Sequence, residues 1–220
     1  MQFITPTSEG KKALTERLIR ALRTGKKVLW LVPGGSNIQT AVEIMRDIPE
    51  GITERLTVAL TDERFGPVGH ADSNWKQLED AGFDAKQATT IPILIGLDDL
   101  HATVAAYTTT LQSLIARHHL IIGLFGMGPD GHIAGILPQS PAASAEGLVA
   151  GYHTEQFMRI TSTFEAIRHC TAAYVLAAGE AKKEALENLQ KDLSPYDQPA
   201  QILKQLPESY IFNDVIGDTQ

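Results

Sequence analysis

The chain has 220 residues, 43% hydrophobic and 20% charged, with 19 Lys and Arg against 26 Asp and Glu for a net charge of −7. That is globular composition, long enough to bury about 70% of the unfolded chain's surface without staples. An acidic chain with no Lys/Arg block speaks against nucleic acid or membrane as a partner, and a lone Cys170 excludes an internal disulfide or a cysteine zinc site.

The first residues, Met1-Gln2-Phe3-Ile4, lack the basic-then-apolar pattern of a signal peptide. No apolar run approaches the ~18 residues of a membrane span, so a soluble, cytoplasmic protein is expected. Residues 9–23 place Leu14, Leu18 and Leu22 four apart, an amphipathic helix stopped by Gly25. Val28-Leu29-Trp30-Leu31-Val32 is a continuous apolar run, the pattern of a strand buried on both faces. Helical spacing returns over 36–47, with Ser36 placed as a possible N-cap. Strands are expected at 56–60, 90–93 and 120–125, with helices at 74–80 and 98–117, the latter capped by Asp98 or Asp99. Beyond these come a strand at 157–161, a helix at 163–169, a strand at 172–178, a helix at 180–191 and a last strand at 210–212. Strands alternating with helices, without a linker, imply one α/β domain over residues 1–220. The class is a three-layer α/β/α, Rossmann-like arrangement with a mostly parallel sheet.

Ligands of such sheets bind beyond the carboxyl ends of the strands. Four junctions there carry unusual sequence. Pro33-Gly34-Gly35-Ser36 opens a helix and suits backbone donation to an anion, or is simply a tight turn with a serine cap. Thr61-Asp62-Glu63-Arg64 sets three charges at a strand end. Arg64 either grips a phosphate or locks the loop in an ion pair, and His70 reads as a surface residue. Gly126-Met127-Gly128-Pro129-Asp130-Gly131-His132 crowds glycines around an Asp–His pair, the arrangement of a carboxylate that orients a general base. Gly179-Glu180-Ala181-Lys182 puts a lysine at a helix start, against the dipole. An anionic ligand resolves that conflict, and so does simple solvation. Arg159, within Phe157-Met158-Arg159-Ile160-Thr161, suits an ion pair and ligand contact equally. Cations gathered on an acidic protein favour a phosphorylated small molecule.

At these residues the chain resembles the 6-phosphogluconolactonase family, which shares its fold with glucosamine-6-phosphate isomerases and deaminases. The resemblance rests on Gly34-Gly35-Ser36, Asp62-Glu63-Arg64 with Pro67 and Ser73-Asn74, Gly126-Met127-Gly128 with Asp130-Gly131-His132, Arg159-Ile160-Thr161, and Gly179 with Lys182. Deaminases carry tyrosine where Arg64 stands and a proton-relaying glutamate where Leu137 stands, so the resemblance favours the lactonase branch. It implies hydrolysis of 6-phospho-D-glucono-1,5-lactone, a step of the pentose phosphate pathway, with His132 and Asp130 catalytic. Gly34, Gly35, Ser36, Asp62, Arg64, Arg159 and Lys182 would bind the substrate. Neither metal nor cofactor is implied. The expected partner is the small phosphosugar lactone, and the expected state is a monomer or small homo-oligomer. A sugar-phosphate isomerase or deaminase and a non-catalytic phosphosugar binder are the alternatives. The chain departs from the family where Ile133, Ala134 and Gly135 replace a Thr-Ala-Ser-type run, where Gly66 replaces valine, and where Asn37-Ile38 replaces Thr-Pro.

Overall fold

The computed structural model describes residues 1–218. In chain order the strands are β1 (Gln2–Ile4), β2 (Val28–Val32), β3 (Leu56–Leu60), β4 (Asp62–Arg64), β5 (Thr89–Ile91), β6 (Leu120–Gly126), β7 (Val149–His153), β8 (Met158–Ser162), β9 (Ala172–Ala177) and β10 (Glu208–Asn213). The α-helices are α1 (Ser8–Arg23), α2 (Ile38–Asp47), α3 (Asn74–Asp80), α4 (Leu100–Arg117), α5 (Phe164–Arg168) and α6 (Lys183–Leu189).

Seven strands form one sheet in the order β1-β10-β9-β6-β2-β3-β5, every neighbouring pair parallel. All residues of β2, β3 and β9 are buried, so helices cover both sides of the sheet, as the continuous apolar runs require. On α1 the leucines spaced four apart, Leu14, Leu18 and Leu22, are the buried stripe. From β2 the chain steps outward through β3 and β5, then crosses back to β6 and proceeds the other way through β9 and β10. The reversal lies between β2 and β6, and it opens a crevice at their carboxyl ends.

The other three strands form a separate antiparallel sheet, β4-β8-β7. This corrects two expectations. Asp62-Glu63-Arg64 is a short strand and not a loop, and the strand near Arg159, shifted to 158–162, belongs to this small sheet and not to the central one. Local boundaries differ as well. Ser36 is not an N-cap: it lies in a 3-10 turn, Gly35–Asn37, that leads into α2. A similar turn, Glu180–Lys182, precedes a helix that ends at Leu189 and not at 191. Strand β5 stops before Pro92, which has no N–H to give a ladder. Asp99 is the cap of α4, its carboxylate accepting the Ala102 amide at 2.7 Å, and Ser73 caps α3.

Candidate active site

A cleft of about 340 Å³ opens at the reversal point. The turn after β2 supplies Gly34, Gly35 and Ser36, the loop after β6 supplies Gly128 and His132, and the turn after β9 supplies Lys182. The small sheet closes the cleft from the other side with Asp62, Arg64 and Arg159. Eight of the nine residues singled out in the sequence therefore line one cleft. The ninth, Asp130, stands behind His132. A larger hollow of about 460 Å³ between α1 and β10 has neither a histidine nor a glycine turn in its wall.

His132 is held by a short local circuit. Asp130 Oδ1 accepts the ring Nδ1–H at 2.6 Å and the His132 backbone amide at 3.1 Å, and Gly128 donates its amide to the His132 carbonyl at 3.0 Å. Glycine is required at 128, because a Cβ there would stand 2.1 Å from His132 Nδ1. With Nδ1 engaged, Nε2 is the ring nitrogen left to act. Burial opposes ionisation of Asp130, but its hydrogen bonds and charge pairing with His132 outweigh that and hold its carboxyl below the usual range.

Alternation divides β4 between two tasks. Asp62 and Arg64 face the cleft, while Glu63 points the other way and is wholly buried. Its two oxygens accept the amides of Arg64 (2.7 Å), Asn74 (2.6 Å) and Trp75 (3.1 Å) and the Ser73 hydroxyl (2.9 Å), a carboxylate anchor for the start of α3. Burial pushes the Glu63 carboxyl up, against the pull of those four donors. The middle charge of the triplet is thus structural. Asp62 accepts the Thr61 hydroxyl at 2.9 Å and lies 3.7 Å from Arg159 Nη1. Arg159 pairs with Asp62, as one of its two expectations has it, and it also lines the cleft. Arg64 makes no ion pair among the described residues; its Nη1 donates to the Asp72 carbonyl at 2.9 Å. His70, expected at the surface, is partly buried and bonds the Arg64 carbonyl through Nε2 at 2.9 Å.

Lys182 is half-buried and has no side-chain partner among the described residues, so burial lowers its pKa. The Gly35 and Ser36 amides open a helical turn and have no intrahelical acceptor. The sequence reading missed the tie between the small sheet and the segment that follows His132. Thr161 Oγ1 accepts the Gly135 amide at 3.0 Å, and Tyr152 donates its hydroxyl to the Gly135 carbonyl at 2.6 Å. A Cβ at 135 would meet Thr161 and Asp62 at 2.9–3.0 Å, so this close approach of the loop to the small sheet needs a glycine.

Residues 7–211 match the model of the family described as glucosamine-6-phosphate isomerases/6-phosphogluconolactonase. The chain belongs to that family. A curated 6-phosphogluconolactonase of Streptomyces coelicolor is 32% identical over 149 residues, which are 60% of this chain and 57% of that protein. The chain thus spans well under two thirds of that relative's length. Among solved structures, a 6-phosphogluconolactonase from Shewanella baltica superposes with a TM-score of 0.80 at 18% identity, covering 97% of each chain. A monomeric glucosamine-6-phosphate deaminase does so with 0.79 at 19% identity and the same coverage. Both activities of the family are built on this fold, so the choice between them rests on side chains.

Proposed function

We propose that the protein hydrolyses 6-phospho-D-glucono-1,5-lactone to 6-phospho-D-gluconate, with His132 as general base, and that it does so as one domain. The observation that carries this reading is the His132–Asp130 pair, 2.6 Å apart, in a cleft shared with Arg64, Arg159 and Lys182. The names of its curated relatives support it.

Asp130 fixes the tautomer in which Nε2 carries the free lone pair. That nitrogen takes a proton from water as the water oxygen bonds to the lactone carbonyl carbon. Collapse of the tetrahedral intermediate breaks the bond to the ring oxygen, to which His132 returns the proton; the new carboxylic acid then releases a proton to solvent. The Gly128 and Gly131 amides are spent inside their loop, so the oxyanion falls to another backbone N–H of that loop or to a cation of the cleft. The phosphate is assigned to the Gly34, Gly35 and Ser36 turn with Arg64 and Lys182, and Arg159 supports it beside Arg64. The isomerase and deaminase reading needs a proton relay that Leu137 has no group to supply.

The test is acid release from freshly generated lactone, measured above the spontaneous rate. Acceleration at catalytic protein concentration is expected. No acceleration, with turnover of glucosamine 6-phosphate instead, would overturn the proposal in favour of the other branch. Binding of 6-phosphogluconate without any turnover would leave a phosphosugar binder.

A further inference from the structure

In the ladder between β4 and β8, Arg64 stands directly opposite Arg159. Like charges in that register destabilise an antiparallel pair. The one carboxylate that faces them is Asp62, 3.7 Å from Arg159 and not paired with Arg64. Both guanidinium Nε atoms are buried without an acceptor. The cleft face of the small sheet, with two arginines against Asp62, therefore carries an excess positive charge that its own hydrogen bonds leave uncompensated.

Phe157 supplies the compensation. It lies two residues before Arg159, hence on the same face, and its ring centroid is 5.1 Å from the Arg64 guanidinium carbon and 5.7 Å from that of Arg159. Both distances fall within the ~6 Å reach of a cation–π contact. The ring is not among the residues that line the cleft, so it touches the two cations without occupying the space they border. Its own place is fixed by the turn between β7 and β8. The Thr154 amide donates to the Phe157 carbonyl at 2.7 Å, and the Phe157 amide donates to Thr154 Oγ1 at 3.0 Å. One residue on, the Phe65 amide donates to the Met158 carbonyl at 2.7 Å and locks the turn to β4.

We propose that Phe157 is a positioning residue for phosphoryl recognition: its ring is the common platform that holds Arg64 and Arg159 side by side, poised for a dianion. A carboxylate in its place would restrain the same two cations but also neutralise them. An aromatic face offsets their repulsion and leaves the net positive charge for the ligand. The residue thereby sets the preference for a phosphorylated over an unphosphorylated lactone, and in this it rests on the lactonase reading above.

The experiment compares wild type with Phe157→Leu, Phe157→Met and Phe157→Tyr, each first checked for an unchanged thermal midpoint. KM for the phosphorylated lactone should rise roughly five- to tenfold in the Leu and Met variants, with kcat within about twofold of wild type. Turnover of unphosphorylated gluconolactone should not change, and Tyr should restore the wild-type KM. Unchanged KM in a folded Leu or Met variant, or a folded Tyr variant as weak as Leu, would overturn the proposal. Calorimetric titration with inorganic phosphate gives a second readout that needs no turnover. A wild type without lactonase activity sinks the functional reading alone. Equal phosphate affinity of wild type and Phe157→Leu sinks the platform.

Discussion

The two sheets of this protein are built by opposite rules. In the central sheet every strand is parallel, β2, β3 and β9 are buried throughout, and the side chains it supplies to the cleft stand on the turns that follow the strands. In the small antiparallel sheet the strands themselves carry the functional groups, with Asp62, Arg64 and Arg159 on one face and Glu63 on the other. The first sheet obtains its stability from burial and can present His132 on a glycine loop at little cost. The second sets two arginines against each other in register, an arrangement that makes sense once an anion is counted in. Where a segment serves its own stability its residues agree locally. Where they disagree, the proposed anion would complete them.

The comparison breaks most visibly at His132, on the loop of the stable sheet. His132→Ala should lower kcat by about 10²- to 10⁴-fold, the range of general acid–base catalysis. Its thermal midpoint should stay near wild type, because the side chain is partly exposed and its hydrogen bond runs to Asp130 within the same loop. Loss of stability with retained turnover would reverse the assignment. Arg64→Ala probes the other sheet. KM should rise by roughly 10- to 100-fold, the worth of a charge-assisted hydrogen bond to phosphate, with a smaller change in kcat. Relief of the Arg64–Arg159 repulsion offsets the lost bond to Asp72, so the thermal midpoint should move by no more than about 2 °C. A large drop in midpoint with unchanged KM would make Arg64 a structural residue.

Glu63 sharpens the contrast within a single strand. Glu63→Gln keeps the shape but turns one acceptor oxygen, which receives two donors, into a donor among donors. The cost should be about 1–3 kcal/mol, seen as a fall of roughly 4–10 °C in the thermal midpoint at unchanged KM. A variant as stable as wild type would show that the four donors find other partners.

These differences explain what the sequence revealed. The inner strands β2, β3, β6 and β9 were legible because burial on both faces leaves a largely apolar run, and α3 was legible to the residue. Strands β1, β4 and β7 were not. Asp62-Glu63-Arg64 has no apolar face, and it is a strand only because it pairs with β8, a partner far along the chain. Ser36 has the chemistry of an N-cap, but the positive φ of Gly35, +66°, starts a 3-10 turn first. The site residues were readable as strand-end oddities. Their division into histidine loop, cation pair and helix anchor was not, since it depends on the register Arg64↔Arg159 and on which way Glu63 points. Phe157 had a signal that went unused: it is two residues from Arg159, on one face of any strand.

Lys182 carries the smallest expected effect. It is the one cation that the central sheet sends to the cleft, and it differs from Arg64 and Arg159 in being able to lose its charge. Burial disfavours its ammonium form, so its pKa lies below the ordinary lysine value of 10.5. The sign follows directly: anion binding needs the protonated amine, and affinity falls as pH rises through the lowered value, at a pH where an exposed lysine would still be charged. A bound phosphate favours the charged form in return, so binding on the alkaline side should take up a proton. Calorimetric titration with 6-phosphogluconate between pH 7 and about pH 9.5, in buffers of different ionisation enthalpy, reads both quantities. A loss of affinity with proton uptake toward the alkaline end is expected in wild type. Lys182→Arg should bind with a flat pH profile and no uptake, because guanidinium stays charged across that range. If wild type and Lys182→Arg follow the same curve, the lysine lies outside the anion site, and the small sheet together with the Gly34-Gly35-Ser36 turn binds the phosphate alone.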